Sequence, residues 1–249
     1  MSSLPTLFLS HGSPMTLAKP SAARDFLAGL GEALPRPDAI LVVSAHWATP
    51  APKVSVAARP KTIHDFYGFP KALYELEYPA PGAPSVARTV KALTGAASEE
   101  HGLDHGAWVP LLLAWPDADI PVVQMSVQPA LGPAHHWRLG QALRPLRDQG
   151  VLIVASGAAT HNLPAYLNGG DTDAARSRAF ADWMADAVEQ GRADDLLDYR
   201  AKAPDAAFAH PTDEHLLPLF TALGAGEGPG RVLHRSLDGS LAMDAYAWG

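Results

Sequence analysis

Short apolar runs rich in β-branched residues alternate along this chain with longer stretches whose apolar residues recur at helical spacing. That alternation is the pattern of an α/β sheet. The strand runs are clearest at residues 5–9, 39–44, 122–127 and 151–155, with weaker ones at 53–58, 231–234 and 240–246. Ile40-Leu41-Val42-Val43 is apolar at every position, so its strand is expected at the centre of a sheet, covered on both sides. Helices are predicted at 85–93, with Val86, Val90 and Leu93 on one stripe, and at 135–147, with Leu139, Leu143 and Leu146. A third, at 173–190, turns Phe180, Met184 and Val188 inward and is ended by Gly191. Pro145 should kink or shorten the second of these. The expectation is one α/β domain over 1–249, with a central, mostly parallel or mixed sheet and helices on both faces.

Residues 59–82 do not fit the alternation. They combine Pro60, Pro70, Pro79 and Pro81 with Phe66, Tyr67, Phe69, Tyr74 and Tyr78. The stretch is too long for a simple connection and too apolar for a linker, and loops of this kind in a compact domain serve as lids or walls.

Composition narrows the function classes. The chain has 249 residues, 47% hydrophobic and 18% charged, which is ordinary for a folded domain. With 19 Lys and Arg against 26 Asp and Glu the net charge is −7, and no basic block offers a surface to nucleic acid or an anionic membrane. The apolar stretch Leu7-Phe8-Leu9 is too short for a signal segment and no run reaches a membrane span, so a cytoplasmic protein is expected. No cysteine is present, which excludes disulfides, thiolate metal sites and cysteine nucleophiles. Any metal must therefore sit on nitrogen or oxygen, and 11 histidines are available.

Four of those histidines share a place in the pattern. His11 follows the first strand, His46 follows the run 40–45, His161 comes six residues after Ala155, and His215 opens the apolar run at Leu216. Ligand crevices in open α/β sheets lie beyond the carboxyl ends of the strands, so these four can converge on one point. Imidazole is the common metal ligand where thiolate is absent and suits Zn, Fe, Cu and Ni, so a mononuclear metal site is favoured. His105, between glycines in Gly102-Leu103-Asp104-His105-Gly106, is a candidate acid/base or substrate anchor, and His64 could line a pocket. His101, His135, His136, His210 and His234 read as surface or capping residues.

Several motifs then occur in a telling order. They are His11-Gly12-Ser13-Pro14-Met15, Ser44-Ala45-His46-Trp47, Thr62-Ile63-His64-Asp65-Phe66 with Gly68-Phe69-Pro70, and Tyr78-Pro79-Ala80-Pro81-Gly82. After them come Asp104-His105-Gly106 with Trp108, Ala155-Ser156-Gly157, His161-Asn162-Leu163, and Pro211-Thr212 with Glu214-His215. From Leu7 to the C-terminus the chain resembles the class III extradiol ring-cleavage dioxygenases, in the branch of the 4,5-DOPA dioxygenases. The resemblance implies O2-dependent opening of a catechol ring beside its two hydroxyls, at one Fe(II) or Zn(II). It implies His11, His46 and His215 as metal residues, with His161 a ligand or close neighbour, and His105 and His161 as acid/base candidates.

A bound catechol occupies two positions and O2 one, so an octahedral ion leaves three for protein, and four histidines cannot all stay bound. His161 is the residue expected to be released, acting as base toward a catechol hydroxyl or hydrogen-bonding bound O2, with His105 as acid. Better-known relatives use two histidines and a carboxylate, which leaves Glu214 as the alternative to His215. Should Thr212 cap a helix, the positive helix end would keep His215 neutral and able to bind metal. Ser13, Trp47, His64, Phe66 and Tyr67 are expected to form the substrate wall, where aromatic faces can stack a catechol. The expected partners are a small catechol and O2, with no nucleic acid and no membrane, in a monomer or homodimer. A zinc hydrolase and a non-catalytic binding protein on the same scaffold are the competing readings, the first weakened by the lack of an H-E-x-x-H signature.

Overall fold

A computed structural model describes residues 3–168 and 170–249 of the chain. Ten strands occur among them: β1 (Thr6–Ser10), β2 (Ala39–Ala48), β3 (Lys53–Ser55), β4 (Ala97–Glu99), β5 (Val122–Val127), β6 (Val151–Gly157), β7 (Arg231–His234), β8 (Leu237–Asp238), β9 (Leu241–Ala242) and β10 (Ala245–Trp248). Eight of them form one sheet in the order β4-β3-β5-β2-β6-β1-β10-β7, while β8 and β9 make a separate hairpin. The four middle strands β5, β2, β6 and β1 run parallel. Antiparallel pairing enters where β3 meets β5, β10 meets β1 and β7 meets β10, so the sheet is mixed.

The period-two alternation of strand side chains divides the apolar residues between two cores. Phe8, Leu41, Val43, Ile153 and Ala155 face one side. There they pack on α2 (Pro84–Thr94), α4 (Gly132–Leu143), α5 (Asp171–Glu189) and α6 (Leu217–Ala225) through Val90, Leu143, Phe180 and Phe220, with α1 (Ala22–Ala33) and α3 (His105–Ala114) lying elsewhere. Leu7, Leu9, Ile40, Val42, Leu152 and Val154 face the other side and meet Leu27 and Leu30 of α1 and Trp108 and Leu111 of α3. Leu73 and Tyr78 from the aromatic segment join this second core, and the Tyr78 hydroxyl donates to the Trp115 carbonyl at 3.1 Å. The segment 59–82 is thus part wall and part core.

Most expected elements are present with shifted ends. The helix expected over 135–147 stops at Leu143, and a 3-10 turn from Arg144 to Gln149 carries Pro145. The run 240–246 is two strands, β9 and β10, because Met243 and Asp244 break the pairing. Helices α1 and α3 are not among the expected elements, and α6 is anticipated only as a helix start near His215. Two of them, α3 and α6, are buried along nearly their whole length and show no amphipathic stripe for periodicity to find.

Register positions the site. Leu9 of β1 and Ser44 of β2 both pair with Ser156 of β6, so the three parallel strands end side by side. His11 lies just past the end of β1. His46 lies inside β2 rather than after it, in the stretch where the ladder with β5 shifts register between Val43 and Ala48.

Candidate functional site

At this shared strand edge His11 Nε2 lies 3.0 Å from His46 Nε2, and His46 Nε2 lies 3.3 Å from His215 Nε2. What stands behind each ring determines its tautomer. The Ser156 hydroxyl donates to the Gly106 carbonyl, which can only accept, so Ser156 Oγ accepts from His11 Nδ1–H at 3.0 Å. Glu214 Oε1 accepts from His215 Nδ1–H at 3.1 Å and from the Thr212 hydroxyl at 3.0 Å. Asp65 Oδ2 stands 3.4 Å from His46 Nδ1. An acceptor thus stands behind Nδ1 of each ring, and the three Nε2 atoms are directed toward one another.

Burial keeps these rings neutral. It pushes the pKa of His11 and of His215 well below the ordinary histidine value, with the neighbouring imidazoles adding to the effect. His46 is pushed down to about 3, by burial first and then by His105, against the opposing pull of Asp65. Converging lone pairs with no proton between them repel, and a cation relieves that repulsion. Two imidazoles bound to one ion at about 2.1 Å, at tetrahedral to octahedral angles, hold their nitrogens about 3.0–3.4 Å apart. The donor set fits a single divalent metal.

His105 and His161 flank the tripod. His105 begins α3, its ring 3.8 Å from that of His46 between centroids. Asp65 Oδ1 lies 3.0 Å from His105 Nδ1 and accepts the His105 backbone N–H at 2.9 Å, so one carboxylate reaches both His46 and His105. The ring nitrogens of His11, His46 and His105 also lie within 4.8 Å of one another, as do the donor atoms of His161, Glu214 and His215. The His161 ring stacks on that of His215, 3.4 Å apart and inclined by 9°.

Helix α3 is anchored by the cap Asp104, whose carboxylate accepts the Ala107 N–H at 3.1 Å, the Ser44 hydroxyl at 2.7 Å and the Gln124 amide. Its burial raises the Asp104 pKa to about 6. Gly106 permits the close approach, because a Cβ there would stand 2.7 Å from Ser44 Oγ and 2.9 Å from His46 Cδ2. Gly157 has the same role opposite, where a Cβ would meet the His215 carbonyl oxygen at 2.0 Å.

A cavity of about 380 Å³ opens over the five histidines. Ser13, Phe66 and Tyr67 line it as expected, and Phe69, Tyr166, Leu241 and Met243 complete its walls. The Ser13 side chain also accepts the Met15 N–H at 3.2 Å, capping a short turn. Trp47 and His64 are not among the lining residues. Trp47 stacks on His101 at 4.0 Å, and His64 Nε2 pairs with the Leu76 carbonyl at 2.9 Å, packed edge-on to Trp108. Thr212 does not cap a helix, because α6 begins at Leu217 and the Thr212 hydroxyl serves Glu214 instead; His215 is kept neutral by burial.

Comparison with known proteins accounts for this arrangement. The family described as the catalytic LigB subunit of aromatic ring-opening dioxygenase matches residues 5–245. The chain belongs to this family. It is 44% identical over 250 residues to a 4,5-DOPA dioxygenase extradiol of Beta vulgaris, covering 95% of this chain and 92% of that one. It is 41% identical over 238 residues to the 4,5-DOPA dioxygenase extradiol of Escherichia coli K12, covering 90% and 86%. A crystal structure of an uncharacterized protein from Escherichia coli K12 superposes with a TM-score of 0.80 at 33% identity, covering 99% of this chain and all of that one. The protein is therefore an aromatic ring-opening dioxygenase, a family whose chemistry implies a metal. No described helix is long and apolar enough to cross a membrane.

Proposed function

We propose that this protein opens the ring of a small, DOPA-like catechol by extradiol cleavage with O2, at one divalent ion held by His11, His46 and His215. The observation that carries the reading is the convergence of three Nε2 atoms, with an acceptor behind each Nδ1. Glu214 is the acceptor behind His215 rather than a ligand. Imidazole donors suit both metals; Fe(II) is the ion for turnover and Zn(II) one that purification can leave in place.

Bound there, the ion supplies the Lewis acidity and electron transfer that let a catechol and O2 react. The chain's own residues supply position and protons. His161, stacked beside the tripod and lining the cavity, takes a proton from a catechol hydroxyl, which its burial-lowered pKa leaves it free to accept. His105, with Asp65 Oδ1 3.0 Å from its Nδ1, is placed to give a proton to oxygen as the ring opens; the proton taken by one imidazole and the proton given by the other cancel, so that the net change is the addition of O2. Phe66 and Phe69 offer apolar faces to the ring and keep water from it.

The test is anaerobic loading with Fe(II), then air and a catechol panel that includes DOPA and protocatechuate. A yellow product with matching O2 uptake is the expected result. His46→Ala should lose the metal, and His105→Ala should keep it and lose turnover. Stoichiometric metal in the first variant would remove the ligand assignment, and normal cleavage by the second would remove His105 from the chemistry. Metal-loaded protein inert to the whole panel would favour a hydrolase or a binding protein.

A further inference from the structure

One charged residue in the cavity has no part in the chemistry above. Asp238 lies among the lining residues, and it is the one Asp, Glu, Lys or Arg side chain among those described there. Asp238 ends β8 and is exposed, which places it toward solvent, while the three Nε2 atoms lie on buried or half-buried rings. A catechol with its hydroxyls at the ion would extend its ring substituent away from the buried Nε2 atoms, toward the open side of the cavity, and Asp238 is an exposed residue of that cavity's lining.

The carboxylate is held in place. The Tyr166 hydroxyl donates to Asp238 Oδ2 at 3.3 Å. The following residue, Gly239, has a φ of +56°, and a Cβ there would stand 3.2 Å from both Cδ2 and Cε2 of the Tyr166 ring. The bare turn lets the ring lie flat against the hairpin and bring its hydroxyl to Asp238. A phenol donor orients a carboxylate without cancelling its charge.

We propose that Asp238 is a specificity-determining residue that selects catechols carrying a cationic amine on the ring substituent over those carrying a carboxylate. The proposal rests on the catechol reading above. A protonated amine would meet Asp238, whereas an anionic substituent would meet the same negative charge and no lysine or arginine among the described lining residues. Since Asp238 is exposed, the preference is modest and falls with salt.

Affinity is measured by calorimetric titration of the anaerobic Fe(II)-loaded protein with dopamine, 4-ethylcatechol and 3,4-dihydroxyphenylpropionate. At low salt dopamine is expected to bind about five-fold more tightly than the anionic catechol, with the neutral one between them. Asp238→Asn should bring the ratio close to one, and half-molar salt should shrink it in the unmodified protein. Equal affinity for cation and anion overturns the proposal, as does an unchanged ratio in Asp238→Asn. Turnover of the same compounds is read separately. Binding in the expected order without ring opening counts against the dioxygenase reading alone, and ring opening without that order counts against the role of Asp238 alone.

Discussion

Behind each histidine of the tripod stands an acceptor facing its Nδ1, and the three acceptors come from three parts of the chain. Ser156 serves His11 from β6, Asp65 serves His46 from the aromatic segment, and Glu214 serves His215 from the turn before α6. Partners of this kind fix the ring's tautomer and orientation, and losing one typically costs ten- to a hundred-fold in metal affinity. Ser156→Ala should weaken metal binding by about that factor, because the His11 proton is then free to move to Nε2. Competition against a chromophoric chelator reads the change, and an unaltered metal affinity would show that Ser156 does not set the His11 tautomer. Stability should fall as well, by about 1–3 kcal/mol, since the buried Nδ1–H of His11 loses its partner.

Glycines set how closely the elements approach. Helices α4 and α6 cross with Gly140 and Gly224 at the contact, where a Cβ on Gly140 would stand 2.2 Å from the Thr221 carbonyl and one on Gly224 2.0 Å from that of Trp137. Backbone cannot yield as a side-chain tip can, so Gly140→Ala must push the helices apart. It should lower the unfolding free energy by about 1–3 kcal/mol. Gly29, inside α1, has nothing within 4 Å of such a Cβ, and Gly29→Ala should raise it by about 0.5–1 kcal/mol through helix propensity. Urea unfolding of the two variants makes the comparison, and equal effects would show that close approach is not what α4 and α6 require. At the level of the element, the same residue type is a weakness in one helix and a packing requirement in another.

For the molecule as a whole, buried neutral histidines make stability depend on pH. His210 is fully buried, its Nε2 on the Ala159 carbonyl at 2.9 Å, and burial pushes its pKa down to about 3. His136 donates through Nδ1 to the Gly132 carbonyl and accepts the Gln128 N–H at Nε2, and burial takes its pKa down to about 4. An unfolded chain protonates both near pH 6.5 while the folded one does not, so stability is full above that value and falls as pH drops toward 4. Asp104, with its pKa raised to about 6, works in the opposite direction and gains stability as pH falls through the same range. The histidines outnumber it, and a fall from 6.5 to about 4 or about 3 is worth about 3–5 kcal/mol for each. The melting temperature of the metal-free protein should therefore fall steeply between pH 6.5 and 4.5. A flat profile would mean that these histidines are solvated in the folded protein.

Residue pattern alone determined the class of fold, the central strands and the histidines at their ends. Those signals are local: a period of two, a run of β-branched residues, a ring placed just after a strand. The motifs from His11 to His215 also carried the family. Tertiary structure decided which atoms meet. Helices α3 and α6 are apolar all round, and their existence depends on a sheet on one side and other elements on the rest. Trp47 and His64 sit within motifs that reach the site, yet their side chains turn to His101 and to Leu76. Ser156, Asp65 and Asp238 are ordinary polar residues in sequence. They gain their roles because strand register, the fold of the aromatic segment and a small hairpin bring each within hydrogen-bonding or charge reach of a ring or a cavity wall. Such proximity is set by packing among distant segments, and no local spacing along the chain encodes it.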